Sequence, residues 1–184
     1  MKVSLWGIIG LFFMLNQVAL AEKVQVDLDE STLKWKGSKV TGEHYGKVPL
    51  KSGHVEMEKG KIKSGEFVAD ISQFTVEDLE GEWAQKFTTH MKSEDFFEVS
   101  KYPTAKLKIK EVKGNNVKAD LTIKDKTHPV SFKMKEKSGV YSGTLKFDRT
   151  KFGMIYGSGD FFKNLGDKMI HNEVIVDFSF QLKK

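Results

Sequence analysis

Apolar and polar residues alternate along most of the chain after residue 21, which is the period-two pattern of β-strands with one buried face. The clearest run comes last, where Val174, Val176, Phe178, Phe180 and Leu182 fall on one side of an extended segment. Shorter runs of the same kind occupy residues 33–37, 67–72, 107–109, 117–124, 130–134 and 145–147. We therefore predict an all-β domain of about eight short strands.

Turn signals separate these runs. Residues 114–116, 125–127 and 138–139 carry the Gly, Asn, Asp and Ser side chains that favour tight hairpins. Strands linked in this way pair antiparallel in sequence order. Because each strand has one apolar face, the sheet must either pack on a second sheet or close on itself. The pattern alone leaves both a sandwich and a barrel open.

One segment has helical spacing instead. Residues 78–92 carry apolar side chains every four positions, at Leu79, Trp83, Phe87 and Met91. This spacing predicts a short amphipathic helix inserted between strands, with Asp78 as its N-cap.

A second irregular region, residues 151–171, separates the last two strands. Its apolar residues are Phe152, Ile155, Tyr156, Phe161, Phe162, Leu165 and Met169. Long connections of this kind are often functional, and this one predicts a lid or plug over an apolar interior.

The first 21 residues have the pattern of a secretory signal peptide. Lys2 precedes an apolar run over residues 5–15, and Ala19 and Ala21 give the small-residue cleavage pattern. The apolar run is shorter than the roughly 20 residues of a membrane-spanning helix. We expect cleavage after Ala21 and one mature, exported domain over residues 22–184.

Composition narrows the classes of function. The chain has 30 basic and 25 acidic residues and no Cys, so it has neither disulfides nor thiolate metal sites. Its lysines alternate with apolar residues, which places them on the solvated outer face of the strands, and the only arginine is Arg149. This distribution argues against nucleic-acid binding, although a lysine-rich surface favours transient contact with anionic membranes.

Candidate catalytic chemistry is sparse. The five histidines show no metal-ligand spacing, and the chain contains no nucleophile elbow or phosphate-binding glycine motif. We predict a protein that is not an enzyme and that needs neither metal nor cofactor. Arg149 is expected to form an ion pair with an acid from another strand, or else to meet an anionic ligand head group.

Several motifs together resemble the YceI-like family of lipocalin-like, polyisoprenoid-binding proteins of the bacterial periplasm. The motifs are WKGSKVTGEHYG at residues 35–46, HMKSEDFFEV at 90–99, KYPTA at 101–105, LTIK at 121–124, DRT at 148–150 and YGSG at 156–159. Their order and spacing agree with that family over nearly the whole mature chain.

The resemblance implies an eight-stranded antiparallel barrel with an inserted helix, in the periplasm or, as the alternative, outside the cell. It also implies a long isoprenoid in the barrel, such as a prenyl quinone or a polyprenyl phosphate. The expected lipid contacts are Trp35, Phe67, Trp83, Phe87, Phe96, Phe97, Leu107, Leu121, Phe132, Phe147, Phe152, Tyr156, Phe161 and Phe178. The candidates for head-group contact are Arg149, Lys151 and His90.

Two other classes of function remain open from the sequence. A barrel filled by its own side chains would suit a structural or partner-binding protein of the cell envelope. An enzyme acting on an apolar substrate would need titratable groups inside the barrel, such as His90 or Asp70. The sequence leaves the oligomeric state open, a dimer included.

Overall fold

A computed structural model of the chain describes residues 21–183. The predicted signal peptide thus lies outside the described residues, except for Ala21. The strands are β1 (Glu22–Lys39), β2 (Gly42–Lys47), β3 (Leu50–Glu58), β4 (Lys61–Asp70), β5 (Thr104–Lys113), β6 (Asn116–Ile123), β7 (Lys126–Lys137), β8 (Val140–Asp148) and β9 (Ile170–Leu182). One α-helix, α1 (Gly81–Lys92), lies between β4 and β5, and short 3₁₀ turns occupy Ile71–Gln73, Arg149–Phe152 and Gly166–Lys168.

Eight of these strands form a closed antiparallel barrel, which confirms the fold predicted from the sequence. Strands β3 to β9 pair in sequence order, and β1 pairs with both β3 and β9 to close the ring. Strand β2 is additional, because it pairs only with the last part of β1.

The hairpin turns have the backbone that their residue types favour. Lys124 and Asp125, between β6 and β7, both have positive φ angles, as do Ser138 and Gly139 between β7 and β8. Two consecutive residues with positive φ match the right-handed twist of the flanking strands. Each of these turns therefore connects neighbouring antiparallel strands directly.

Small and branched side chains fill one end of the barrel. Val26, Val55, Ile62, Val117 and Ala119 are all almost completely buried there. Aromatic rings pack around this filled end, including Phe67 against Phe180 and Phe132 against Phe178. This part of the interior is therefore closed to solvent.

Helix α1 begins two residues later than an N-cap at Asp78 predicts, so Asp78 is not its N-cap. The N-cap is Glu80, whose side chain caps no backbone N–H. The carboxylate of Asp78 instead binds His44 and the backbone N–H of Tyr45, which holds Asp78 outside the helix. Within residues 21–183, no helix has the length and apolar character needed to cross a bilayer.

We predict that Gly46→Ala destabilises the barrel, because a Cβ at this position would overlap the carbonyl oxygen of Thr75. The segment carrying Thr75 must then move from β2, at a cost of about 1–3 kcal/mol. Gly42→Ala, in the same strand, is the matched control, since nothing lies within 4 Å of its added Cβ. Urea unfolding of both variants measures the difference, and equal midpoints would contradict this packing.

Candidate ligand-binding cavity

The interior of the barrel is open at the end opposite the filled one. A cavity of about 500 Å³ lies there, within the range of small-molecule binding sites. Lys39, Tyr156 and Lys168 line this cavity and are also exposed, so the cavity reaches the surface beside them. We call this opening the mouth.

The walls of the cavity are predominantly apolar. Ile109, Leu145 and Val176 reach it from β5, β8 and β9, and Met134 reaches it from β7. The predicted lipid contacts that line the cavity are Trp35, Phe67, Phe87, Phe96, Phe97, Leu107, Leu121, Phe132, Phe147, Tyr156 and Phe178. The structure brings these side chains together around one space, and their contact with a lipid stays a prediction.

Stacked aromatic rings cover one side of the cavity. The ring of Trp35 stacks on Phe74 at a centroid distance of 4.6 Å and lies nearly parallel to Phe87 of α1 at 6.0 Å. The indole N–H of Trp35 donates a hydrogen bond of 2.9 Å to the carbonyl of Thr75. These contacts hold α1 and the segment before it against β1.

The β8–β9 connection (residues 149–169) covers another side. Phe152 and Met154 are each only 1% exposed and fix the connection to the barrel. Tyr156 then packs edge-on against His90 of α1, with ring centroids 4.7 Å apart, and also contacts Phe96. The two covering segments therefore meet at His90 and Tyr156.

Arg149 is buried beside the cavity, where it binds backbone carbonyls. Its guanidinium donates to the carbonyls of Met154, Ile170 (3.1 Å) and His171 (3.1 Å), and it lies over the ring of Phe96. The expected ion pair is wrong, because no carboxylate lies within salt-bridge distance of Arg149 among the described residues.

This carbonyl cluster explains both the burial and the role of Arg149. Burial lowers the pKa of Arg149, while the nearby charge of Asp148 acts in the opposite direction. The side chain joins the start of the β8–β9 connection to the start of β9. Arg149 also lines the cavity, so it keeps its place among the head-group candidates.

Four of the candidate residues do not line the cavity. Trp83 and Phe161 are 71% and 55% exposed. Phe152 is buried behind the wall, against Phe147 and His128, and Lys151 is exposed. By contrast, His90 does line the cavity, and its Nε2 lies 3.1 Å from a carboxylate oxygen of Asp95.

Other cavity residues were not identified from the sequence. Phe74 and Met154 lie outside the regular alternation, so no periodic signal marks them. Lys39, His44 and Lys168 also line the cavity. Lys39 and His44 lie within the motif at residues 35–46, which is the only sequence signal for them.

The partly buried carboxylate of Asp78 orients His44. Its Nδ1 lies 2.7 Å from Oδ2 of Asp78, and Oδ1 of Asp78 accepts a 2.9 Å hydrogen bond from the N–H of Tyr45. Burial acts to raise the pKa of Asp78, but these hydrogen bonds and the charge of His44 outweigh it and lower the pKa. The imidazole packs on Phe87, with ring centroids 4.7 Å apart.

The site offers binding surfaces for an apolar chain. Within residues 21–183, no cluster of three or more His, Asp or Glu side chains is arranged to hold a metal ion. The predominantly apolar lining suits enclosure of an apolar group, and basic and aromatic side chains lie at the mouth.

The fold and the cavity define a small antiparallel barrel of the kind that encloses a single ligand. The model of the YceI-like domain family matches residues 24–182. The chain belongs to the YceI-like family. No curated protein sequence matches the chain.

Solved structures share the fold at low sequence identity. BcnA of Burkholderia cenocepacia has 20% identity and a TM-score of 0.65, with 86% of this chain and 99% of BcnA covered. A polyisoprenoid-binding domain from Saccharophagus degradans, implicated in plant cell wall breakdown, has 15% identity and a TM-score of 0.61, over 86% and 98% of the two chains. The YceI protein of Campylobacter jejuni has 14% identity and a TM-score of 0.51, over 100% and 99%.

We predict that Arg149→Met lowers the free energy of unfolding by about 3 kcal/mol, because it leaves buried carbonyls without their charged donor. Lys151→Met removes a neighbouring positive charge that is exposed and should change stability by less than about 0.5 kcal/mol. Urea unfolding of the two variants provides the comparison. Equal losses would contradict the structural role of Arg149.

We predict that Asp78→Asn removes part of the acid sensitivity of the fold. The folded-state pKa of Asp78 lies below the ordinary 3.8, so its ionised form stabilises the fold above that pH. This contribution is lost as the pH falls through the lower folded-state pKa. The variant should be about 1 kcal/mol less stable at pH 7, with the difference shrinking in acid. Urea unfolding between about pH 7 and pH 3 tests this, and a constant difference would contradict it.

Proposed function

We propose that this chain is an exported bacterial protein that holds a long isoprenoid lipid in its barrel cavity, for carriage, storage or sequestration in the periplasm. The observation that carries the proposal is the apolar cavity of about 500 Å³, reached through the mouth. Membership of the YceI-like family supports it. The Saccharophagus degradans neighbour, described as polyisoprenoid-binding, supports the class of ligand.

The size and composition of the cavity suit a prenyl chain. At about 30 Å³ for a methylene-sized group, comparable to one water in the liquid, the cavity holds roughly three isoprene units. Burial contributes about 0.8 kcal/mol per such group, so each five-carbon unit contributes about 3–4 kcal/mol. Three units then offset the several kcal/mol that association costs.

Binding is favoured over the two other classes of function. A barrel filled throughout by its own side chains would leave no cavity, whereas here only one end is filled. Catalysis would require reactive groups along the bound apolar chain, whereas most of the residues that line the cavity are apolar. We therefore propose a binding protein that is not an enzyme.

The periplasmic location rests on the sequence of residues 1–21, which has the charge, apolar core and cleavage pattern of a signal peptide. A lysine-rich outer surface would suit transient contact with the anionic membranes from which an isoprenoid must come.

We predict that filling the cavity reduces lipid retention. Ala105 lines the cavity and pairs with Ala69, another lining residue, so Ala105→Phe should place a ring in the space that the lipid occupies. Lys108→Phe, on the outer face of the same strand, is the matched control. Native mass spectrometry of protein exported in bacteria would compare bound prenyl lipid, with circular dichroism to verify folding.

The expected result is a lipid adduct on the wild type and on Lys108→Phe, reduced at least about tenfold on Ala105→Phe, since one ring replaces roughly 1.5–3 kcal/mol of lipid contact. Wild-type protein that remains empty and takes up no added prenyl quinone or prenyl phosphate would contradict the proposed function. Equal retention by both variants would contradict the assignment of this cavity.

A further inference from the structure

The charged residues that line the cavity are all basic. They are Lys39, His44, His90, Lys106, Arg149, Lys168 and His171, and no Asp or Glu side chain of the described residues lines the cavity. Since the chain as a whole has 25 acidic residues against 30 basic ones, this one-sided distribution is a property of the site. It favours a ligand with a negatively charged group.

Besides His44, which binds Asp78, three of these basic groups already have partners. Lys106 pairs with Glu66 on the outer face, His90 lies beside Asp95, and Arg149 binds backbone carbonyls. Neither Lys39 nor Lys168 forms a salt bridge with any residue in the range 21–183. Two ammonium groups at the mouth thus form no ion pair with the part of the chain that the structure describes.

The strand register brings these two lysines to the same edge of the mouth. Lys39 pairs with Ile170 across β1 and β9, and the next residue, Val40, donates a 3.1 Å hydrogen bond to the carbonyl of Met169. Lys168 directly precedes Met169 and Ile170 in the chain. The end of β1 and the start of β9 therefore present both side chains to one region.

His44 joins this edge from β2. It pairs with Gly37, two residues before Lys39 in β1, and it lines the same cavity. Because its Nδ1 is committed to Asp78, Nε2 is the ring atom left for a ligand. In the imidazolium form of His44, Nε2–H donates alongside the two lysine ammonium groups, so that together they offer hydrogen-bond donors to several oxygens of one anion.

We propose that Lys39, His44 and Lys168 form a phosphate site at the mouth, which selects a prenyl phosphate over an uncharged isoprenoid. This inference rests on the proposed function and specifies the head group of that ligand. A phosphate neutralises both lysines through charge-assisted hydrogen bonds, which are about twice as strong as neutral ones. A quinone or alcohol head group leaves the two positive charges uncompensated.

The test compares ligands with one tail and two head groups. Binding of geranylgeranyl phosphate, geranylgeraniol and inorganic phosphate would be measured at low ionic strength by tryptophan fluorescence, because Trp35 lines the cavity. The variant is Lys39→Gln/Lys168→Gln. Its control is Lys34→Gln/Lys133→Gln, which removes the same net charge from exposed strand positions away from the cavity.

We expect the wild type and the control to bind the phosphate at least about tenfold more tightly than the alcohol. In the Lys39→Gln/Lys168→Gln variant, the affinities for the phosphate and the alcohol should agree within about threefold. The difference that remains comes from the long-range effect of the other positive charges. The variant's affinity for the alcohol should not change, since the tail contacts remain.

Each other outcome overturns a specific statement. Equal affinity of the wild type for phosphate and alcohol overturns the phosphate site but leaves the proposed function standing. A preference retained by Lys39→Gln/Lys168→Gln overturns the assignment to these lysines. Inorganic phosphate that binds as tightly as the prenyl phosphate overturns the lipid as the source of the anion. Binding of none of the three ligands contradicts the proposed function itself.

Discussion

The pairing of β1 with β9 is the constraint on which the rest of the structure depends. It closes the sheet, so that each of the eight barrel strands has a partner on both sides and one apolar face directed to a common interior. The pairing also sets the position of the mouth, because the register places Lys39 opposite Ile170. Without this closure the apolar strand faces would need a second sheet to cover them.

The closed barrel is filled unequally, and this creates the cavity. Buried valine, isoleucine and alanine side chains occupy the filled end, whereas larger aromatic and aliphatic groups line the cavity at the other end. The covering segments compensate by packing on each other. Trp35 stacks with Phe74 and Phe87 on one side, and Tyr156 contacts His90 on the other. The cavity is thus enclosed by residues that are far apart in sequence.

The alternation of apolar residues predicted the strands and the faces they bury, because period two reports directly on a half-buried sheet. It could not choose between a barrel and a sandwich, since both bury one face, and that choice came from the resemblance. Helical spacing likewise found α1 but not its rotation. Phe87 and Met91 of the predicted stripe line the cavity, whereas Trp83 is exposed.

Residues outside regular elements were the least predictable. Asp78 has the chemistry of an N-cap, but its partner His44 lies 34 residues away, and only the fold brings the two together. The sequence predicts an ion pair between Arg149 and a carboxylate. In the structure its guanidinium donates to backbone carbonyls instead, because the β8–β9 connection folds back over it. Such contacts depend on tertiary geometry, which local patterns do not encode.

In the proposed complex, the separation of apolar and charged surfaces would divide recognition between the two ends of the lipid. The free energy of burying a prenyl tail against the apolar walls depends on the apolar area that is buried and hardly on which prenyl tail it is. Charges at the mouth act only on the head group, and they weaken with ionic strength because they lie near water. A ligand held this way gains most of its affinity from the tail, while discrimination between ligands with the same tail falls to the few polar side chains at the mouth. The proposed phosphate site would therefore place selectivity at the mouth, where a ligand must exchange with the surroundings.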